Sequence, residues 1–313
     1  MVETAFEQGI TRGIMGGAAQ GFAQEFAHDF VQGEWTSADG LALHYRDYPG
    51  PQDAPAGRPP LLCIPGLTRN IRDFEPLAAR FAAEWRIIAV DLRGRGQSDY
   101  ARDPASYSPA QYVQDILALL DSAGLERVVA VGTSLGGIII MRLALAAPER
   151  LAGAVLNDIG PDVEPAGLAR IRDYVGQGRT FPTWMHAARA LKEQVGEAHP
   201  AYAISDWLTV AKRLMCVGAG GRIAFDYDMR IAEPFDLPGE PFDMWQALRA
   251  LSGRPVLALR GELSDILSPA TLARMAAELP GLTTATIPRT GHAPTLEEPE
   301  AQEAIARLLE RVR

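Results

Sequence analysis

Val128-Val129-Ala130-Val131-Gly132-Thr133-Ser134-Leu135-Gly136-Gly137 reads as an apolar strand running into a G-x-S-x-G turn, and Ile138-Ile139-Ile140-Met141-Arg142-Leu143-Ala144-Leu145 continues it as an apolar helix. A serine hydroxyl is a poor nucleophile. To react it has to stand clear of the fold beside a base, with backbone N–H groups turned toward the developing oxyanion. A sharp strand-to-helix turn achieves this by holding the serine in strained geometry, while Gly132 and Gly136, which lack Cβ, let neighbouring backbone approach. Chance alone gives about 0.1 such pentapeptides in a Gly-rich chain of this size, so the pattern by itself decides little. The strand before it and the helix after it make Ser134 a candidate nucleophile.

Outward from that turn the chain alternates strand, loop and helix. Residues 35–37 and 41–47, joined across Asp39-Gly40, read as a hairpin. Short apolar runs at 60–64, 86–90, 127–131, 154–158, 255–261 and 283–287 follow, most too apolar for a sheet with one wet face. Helical spacing appears between them at 74–83, 109–123, 137–147, 269–279 and 299–311. The expectation is an α/β fold: a mostly parallel eight-stranded sheet with an antiparallel start and helices on both faces. One gap breaks the rhythm. Residues 159–249 carry mainly helical periodicity at 165–175, 183–195 and 204–214, too long for a crossover and too structured for a loop. This stretch is expected to be an inserted helical cap over the carboxyl edge of the sheet, where ligands bind in open α/β sheets. The core then comprises 34–158 and 250–313, with 1–33 as an N-terminal extension, helical or mobile; Phe22, Phe26 and Phe30 give it weak helical spacing and make it a candidate contact for a homo-oligomer.

A formal net charge of −9 over 313 residues argues against nucleic acid and against an anionic membrane surface, both of which call for basic patches. No apolar run approaches the length of a transmembrane helix, and the N-terminus lacks the positive and apolar regions of a secretory signal, so a cytoplasmic protein is expected. Cys63, in an apolar strand, and Cys216, in a helix-like stretch, read as small buried hydrophobes rather than a disulfide framework. No Cys/His cluster has metal-ligand spacing, and neither phosphate-binding glycine motif occurs, so no cofactor is expected.

A serine nucleophile needs a general base, worth about 10²–10⁴ in rate, and a carboxylate to orient that base. The chain has five histidines. His28 belongs to the N-terminal segment, His44 to the opening hairpin, and His186 and His199 to the inserted segment. His292, in Thr290-Gly291-His292-Ala293-Pro294, follows the last strand and so reaches the same sheet edge as Ser134. For the carboxylate, Asp265 in Arg260-Gly261-Glu262-Leu263-Ser264-Asp265 keeps the order serine, acid, histidine and is preferred. Asp158 keeps the same order, and Glu262 lies on the same loop as Asp265; both stay open. The oxyanion donors are expected to be the N–H of Leu135, next after the serine, and that of Leu67 in the loop Ile64-Pro65-Gly66-Leu67. Trp184 and Trp207 are candidate substrate contacts among the large apolar residues of the inserted segment, although packing within that segment is the commoner role for such residues.

With these residues in place the chain resembles the α/β-hydrolase superfamily, specifically its capped, esterase-like members. The resemblance runs from about residue 34 to the end and rests on Pro65-Gly66, Asp91-Leu92-Arg93-Gly94-Arg95-Gly96-Gln97-Ser98-Asp99, the turn around Ser134, Arg260-Gly261-Glu262 with Asp265, and Gly291-His292. The Asp91–Asp99 stretch matches a structural loop of the family and is given no catalytic role. A serine in place of a nucleophilic aspartate counts against the dehalogenases and epoxide hydrolases of this fold. The resemblance implies hydrolysis of a carboxylic ester of a small to medium apolar substrate through an acyl-enzyme. Carbon–carbon bond hydrolysis, lactone hydrolysis and cofactor-free perhydrolysis run on the same triad, and a ligand receptor that keeps the triad is the alternative of another class.

Overall fold

Successive strand residues point to opposite faces of the sheet, and here both faces are buried. In β3 (Leu61–Ile64) Leu62 and Ile64 enter one apolar core while Leu61 and Cys63 enter the other. In β5 (Val128–Thr133) Val128 and Ala130 go one way, Val129 and Val131 the other. Such strands have no polar side to give to water, so helices must cover both faces. The structure, a computed structural model, describes residues 29–55, 57–236 and 241–312.

The eight-stranded sheet has the order β1-β2-β4-β3-β5-β6-β10-β11. Its antiparallel start is β1 (Val31–Thr36) on β2 (Ala42–Tyr48) on β4 (Ile87–Val90). From there β3, β5, β6 (Leu151–Asn157), β10 (Val256–Gly261) and β11 (Leu282–Ile287) run parallel. Helices α2 (Pro109–Ser122), α3 (Leu135–Ala146) and α8 (Pro269–Glu278) bury Ile116, Ile140 and Met275 against one face. Helices α1 (Glu75–Phe81) and α9 (Pro299–Leu309) bury Phe81 and Ile305 against the other. At about 1.5–3 kcal/mol for each large aliphatic side chain fully buried, these two layers hold the strand order and the direction of every strand end. Ser108 and Ser268 cap α2 and α8 through their side-chain oxygens, each with proline at the first helical position.

The loop after β4 braces the sheet edge. Asp91, fully buried, accepts hydrogen bonds from Ile71 N (2.9 Å), Gln97 N (3.1 Å) and His44 Nδ1 (2.9 Å). A Cβ at Gly96 would lie 2.3 Å from the Asp91 carboxylate, so only glycine fits. Arg93, also fully buried, is held by Asp115 and Asp39. These residues organise the backbone, in keeping with the structural role expected of that loop.

The segment between β6 and β10 is mainly helical, as expected, with short strands added. It holds α4 (Pro165–Tyr174), α5 (Trp184–Val195), α6 (Ile204–Leu214) and α7 (Met244–Arg249), together with a three-stranded antiparallel sheet of β7 (Thr180–Phe181), β9 (Ile223–Phe225) and β8 (Met215–Val217). Strands of two or three residues are too short to leave a periodic signature. Cys216 accordingly sits on β8, not in a helix; Cys63 is fully buried, and both thiols are free. A small core of Phe181, Leu191, Trp207, Leu214 and Ile223 holds this segment together. At the other end of the chain, β1 begins at Val31, inside the stretch expected to be an extension. Phe30 packs on Tyr48 with ring centroids 5.4 Å apart, while Phe22 and Phe26 lie outside the described residues. Among the described residues no helix is long and apolar enough to cross a membrane.

Candidate active site

Ser134 stands between β5 and α3 with φ 52° and ψ −113°, a conformation that costs roughly 1–3 kcal/mol and persists only because the surroundings impose it. What imposes it is close packing of backbone on backbone. A Cβ at Gly132 would lie 2.4 Å from the Gly136 carbonyl carbon, and one at Gly136 would lie 2.1 Å from the Ile64 oxygen. Strand, turn, helix and the loop after β3 can therefore meet only through glycine. The Ser134 amide is tied to the Asn157 carbonyl of the neighbouring strand at 2.9 Å.

His292 Nε2 lies 2.9 Å from Ser134 Oγ, and His292 Nδ1 lies 2.7 Å from Asp158 Oδ2. An ionised carboxylate can only accept, so Nδ1 carries the ring proton and Nε2 faces the serine hydroxyl as acceptor. Asp158 is fully buried at the end of β6, beside β5, with φ 57°. Three groups converge on its carboxylate: Gly261 N on Oδ1 at 2.9 Å, and Ser264 Oγ (2.7 Å) with His292 on Oδ2. Asn157 Nδ2 donates to Thr133 Oγ1 and to the Pro294 carbonyl, tying the serine turn to the histidine loop.

The preference for Asp265 is thereby corrected: the carboxylate on His292 is Asp158. Asp265 is gripped by Arg170 of α4, Nε to Oδ2 at 2.6 Å and Nη2 to Oδ1 at 2.8 Å. Burial opposes the charge of Asp265, but the Arg170 guanidinium outweighs it and holds the carboxyl below its ordinary value. Glu262 accepts from Arg289 N and is likewise occupied away from the histidine. The loop that carries Asp265 still serves the site, because its Gly261 and Ser264 support Asp158.

Leu135 is the first residue of α3, where the helix has no internal acceptor for its N–H. The loop with Leu67 lies against the serine: a Cβ on Gly66 would be 3.7 Å from Ser134 Cβ. Arg95, buried beneath, fixes that loop by donating Nε–H to the Leu67 carbonyl at 2.9 Å. Of the two tryptophans, Trp207 is buried in the core of the inserted segment with one edge on the cavity beside His292. Trp184 packs on that same core and does not line the cavities at Ser134.

Two kinds of space meet at the serine. On the Leu135 side is an apolar cavity of about 260 Å³ lined by Leu67, Ile138, Ile159, Leu168, Ile171 and Phe235, among others. On the His292 side two cavities of about 100 Å³ each, with residues in common, mix polar and apolar walls, with Thr68, Arg69, Tyr174 and His199 among the polar ones. His199, missed by sequence reasoning, is held neutral chiefly by burial and then by the neighbouring Arg69 guanidinium and His292 ring, its pKa pushed down to about 4. Nothing in its sequence surroundings marked it; only the turn from Gly196 to Tyr202, which places Ala198 O on Gly291 N, brings it to the site. Among the described residues no cluster of three or more His, Cys, Asp or Glu side chains could hold a metal ion.

A parallel-centred eight-stranded sheet with a serine on the turn after its fifth strand and a histidine after its last defines a class of hydrolases. Residues 61–305 match the alpha/beta hydrolase family, and the chain belongs to it. It is similar to a 3-hydroxybutyrate-oligomer hydrolase of Cupriavidus necator, with 33% identity over 80% of this chain and 88% of that protein. A 2-(acetamidomethylene)succinate hydrolase of Mesorhizobium japonicum is 29% identical over 75% of this chain and 81% of the relative. Among solved structures, an alpha/beta hydrolase from Novosphingobium aromaticivorans superposes with a TM-score of 0.86 at 58% identity, covering 91% of this chain and 99% of that one.

Proposed function

We propose that this hydrolase cleaves carboxylic esters through an acyl-enzyme on Ser134. The observation that carries the reading is the unbroken line of hydrogen bonds from Ser134 Oγ through His292 to Asp158, 2.9 and 2.7 Å long. In the first step Ser134 Oγ attacks the ester carbonyl while His292 Nε2 takes the hydroxyl proton. Asp158, held by Gly261 N and Ser264 Oγ, keeps the imidazole oriented and stabilises the imidazolium. The N–H groups of Leu67 and Leu135 receive the oxyanion; each such donor is worth about 2.7–4 kcal/mol in the transition state. His292 then returns its proton to the departing alcohol, and water, activated by the same histidine, releases the acid.

The relative that acts on 3-hydroxybutyrate oligomers supports an ester as the bond cleaved, because a hydroxy acid condensed with itself is joined through esters. The segment over the sheet edge acts in this reading as a cap, and its apolar cavity suits a small to medium acyl chain. The test is turnover of p-nitrophenyl acetate, butyrate and octanoate by purified protein. Steady release of nitrophenol that disappears in a Ser134→Ala variant is expected. Rates equal to those of Ser134→Ala would exclude the esterase and favour a ligand-binding protein with the same residues.

A further inference from the structure

The cavities on the two sides of Ser134 differ in chemistry, and the proton path assigns each a half of the substrate. In acyl transfer the departing oxygen must lie at the histidine that protonates it. The cavities lined by His292 therefore take the leaving group, and the apolar cavity, which His292 does not line, takes the acyl chain. The two tyrosine hydroxyls at the apolar cavity both have partners, Tyr107 donating to Asp228 and Tyr112 accepting from Arg95, and no charged side chain lines that side.

The leaving-group side is the opposite. Arg69, Arg170 and Arg213 line it against one carboxylate, Asp73. Arg170 is committed to Asp265, and Arg213 pairs with Glu297. Arg69 is held by Asp73 through Nε and Nη2, at 2.5 and 2.9 Å, which fixes the plane of its guanidinium. Its Nη1 donates to no group among the described residues, leaving a rigid two-nitrogen edge of the kind that takes a carboxylate bidentately. His199 lines the same cavity, its side chain nine-tenths buried and its Nδ1 without a hydrogen-bond partner among the described residues.

Resting on the ester hydrolase reading, we propose that the substrate's leaving alcohol carries a carboxylate seated on Arg69 beside His199. The substrate class is then an ester of an apolar acid with a short hydroxy acid. Attack by Ser134 forms the acyl–oxygen bond to the serine and breaks the bond to the hydroxy acid, whose alkoxide leaves with the proton from His292 while its carboxylate stays on Arg69. Water hydrolyses the apolar acyl-enzyme.

The test compares 3-(butanoyloxy)propanoate with its methyl ester, which removes the charge and leaves the cleaved bond alike. The wild-type protein is expected to favour the charged ester at least tenfold in kcat/KM at pH 7.5. In Arg69→Gln that ratio should fall to near one, and Arg69→Lys should recover part of it. Equal kcat/KM for the two esters in the wild type, or an unchanged ratio in Arg69→Gln, would overturn the assignment. Binding of the same two esters to Ser134→Ala, followed by calorimetry, reads the subsite without turnover. There, tenfold tighter binding of the charged ester that depends on Arg69 supports the subsite, and equal affinities overturn it. Failure of the wild type to turn over either ester would count against the hydrolase reading, and the calorimetric comparison would still decide the subsite.

Discussion

Arg170 on α4 and Asp265 on the loop after β10 form a two-bonded ion pair, 2.6 and 2.8 Å, that takes Asp265 away from His292 and ties the inserted segment to the sheet edge. Both side chains are more than a third exposed, and pairs of that exposure contribute little. Arg170→Ala is therefore expected to lower the stability of the chain by no more than about 1 kcal/mol. Thermal denaturation followed by circular dichroism checks this, and a much larger loss would mean that the pair organises the core.

The turn around Ser134 depends on glycine for space. Gly136→Ala puts a methyl group 2.1 Å from the Ile64 oxygen, against backbone that cannot rotate away. Overpacking of this kind costs about 3 kcal/mol or more, and the loop after β3 that carries Leu67 moves with it. Both the melting temperature and esterase turnover should fall. Gly196→Ala is the control: its φ of −63° is helical, and a Cβ there meets only the flexible Lys192 side chain at 3.5 Å. That variant should be neutral or slightly stabilised.

His199 makes stability depend on pH in a defined direction. Its folded pKa is about 4, below the ordinary value of 6.5, because burial and then Arg69 and His292 disfavour the imidazolium. Between those values the unfolded chain binds a proton that the folded chain refuses, so its contribution is whole above pH 6.5 and is lost as pH falls toward 4. From pH 7 to pH 4.5 this amounts to about 2 kcal/mol. Urea unfolding should show the wild type losing that much more than His199→Phe, which keeps a ring against Tyr202 and Trp207. Equal losses would place His199 in contact with solvent.

How legible was the site in the sequence? Ser134 and His292 were, because Ser134 follows β5 at once and His292 lies on the loop five residues beyond β11, so both stand at the same edge of a sheet whose central strands run parallel. The eight-stranded frame was legible for the same reason: β3, β4, β5, β6 and β10 are continuous apolar runs that only a covered sheet can bury. The acid was not. Asp158 and Asp265 both follow strands and both precede the histidine, so order could not separate them. What separates them is tertiary: Asp158 ends β6, next to the serine strand, and receives Gly261 N and Ser264 Oγ. Asp265 lies four residues beyond β10 and finds Arg170, a partner 95 positions away that no local pattern predicts. His199 was unreadable for a similar reason, since a short turn of the inserted segment carries it there.

The central claim is that Asp158, not Asp265, orients His292. Its most direct test is kcat/KM for p-nitrophenyl butyrate in Asp158→Asn and Asp265→Asn, measured side by side with folding checked by circular dichroism. Asp158→Asn should lose about 10³-fold or more, because an amide at that position stabilises the wrong tautomer and no longer balances the imidazolium. Asp265→Asn should stay within about threefold of the wild type, as expected for a residue outside the proton path. The reverse pattern, a large loss in Asp265→Asn with Asp158→Asn nearly fully active, would contradict the account.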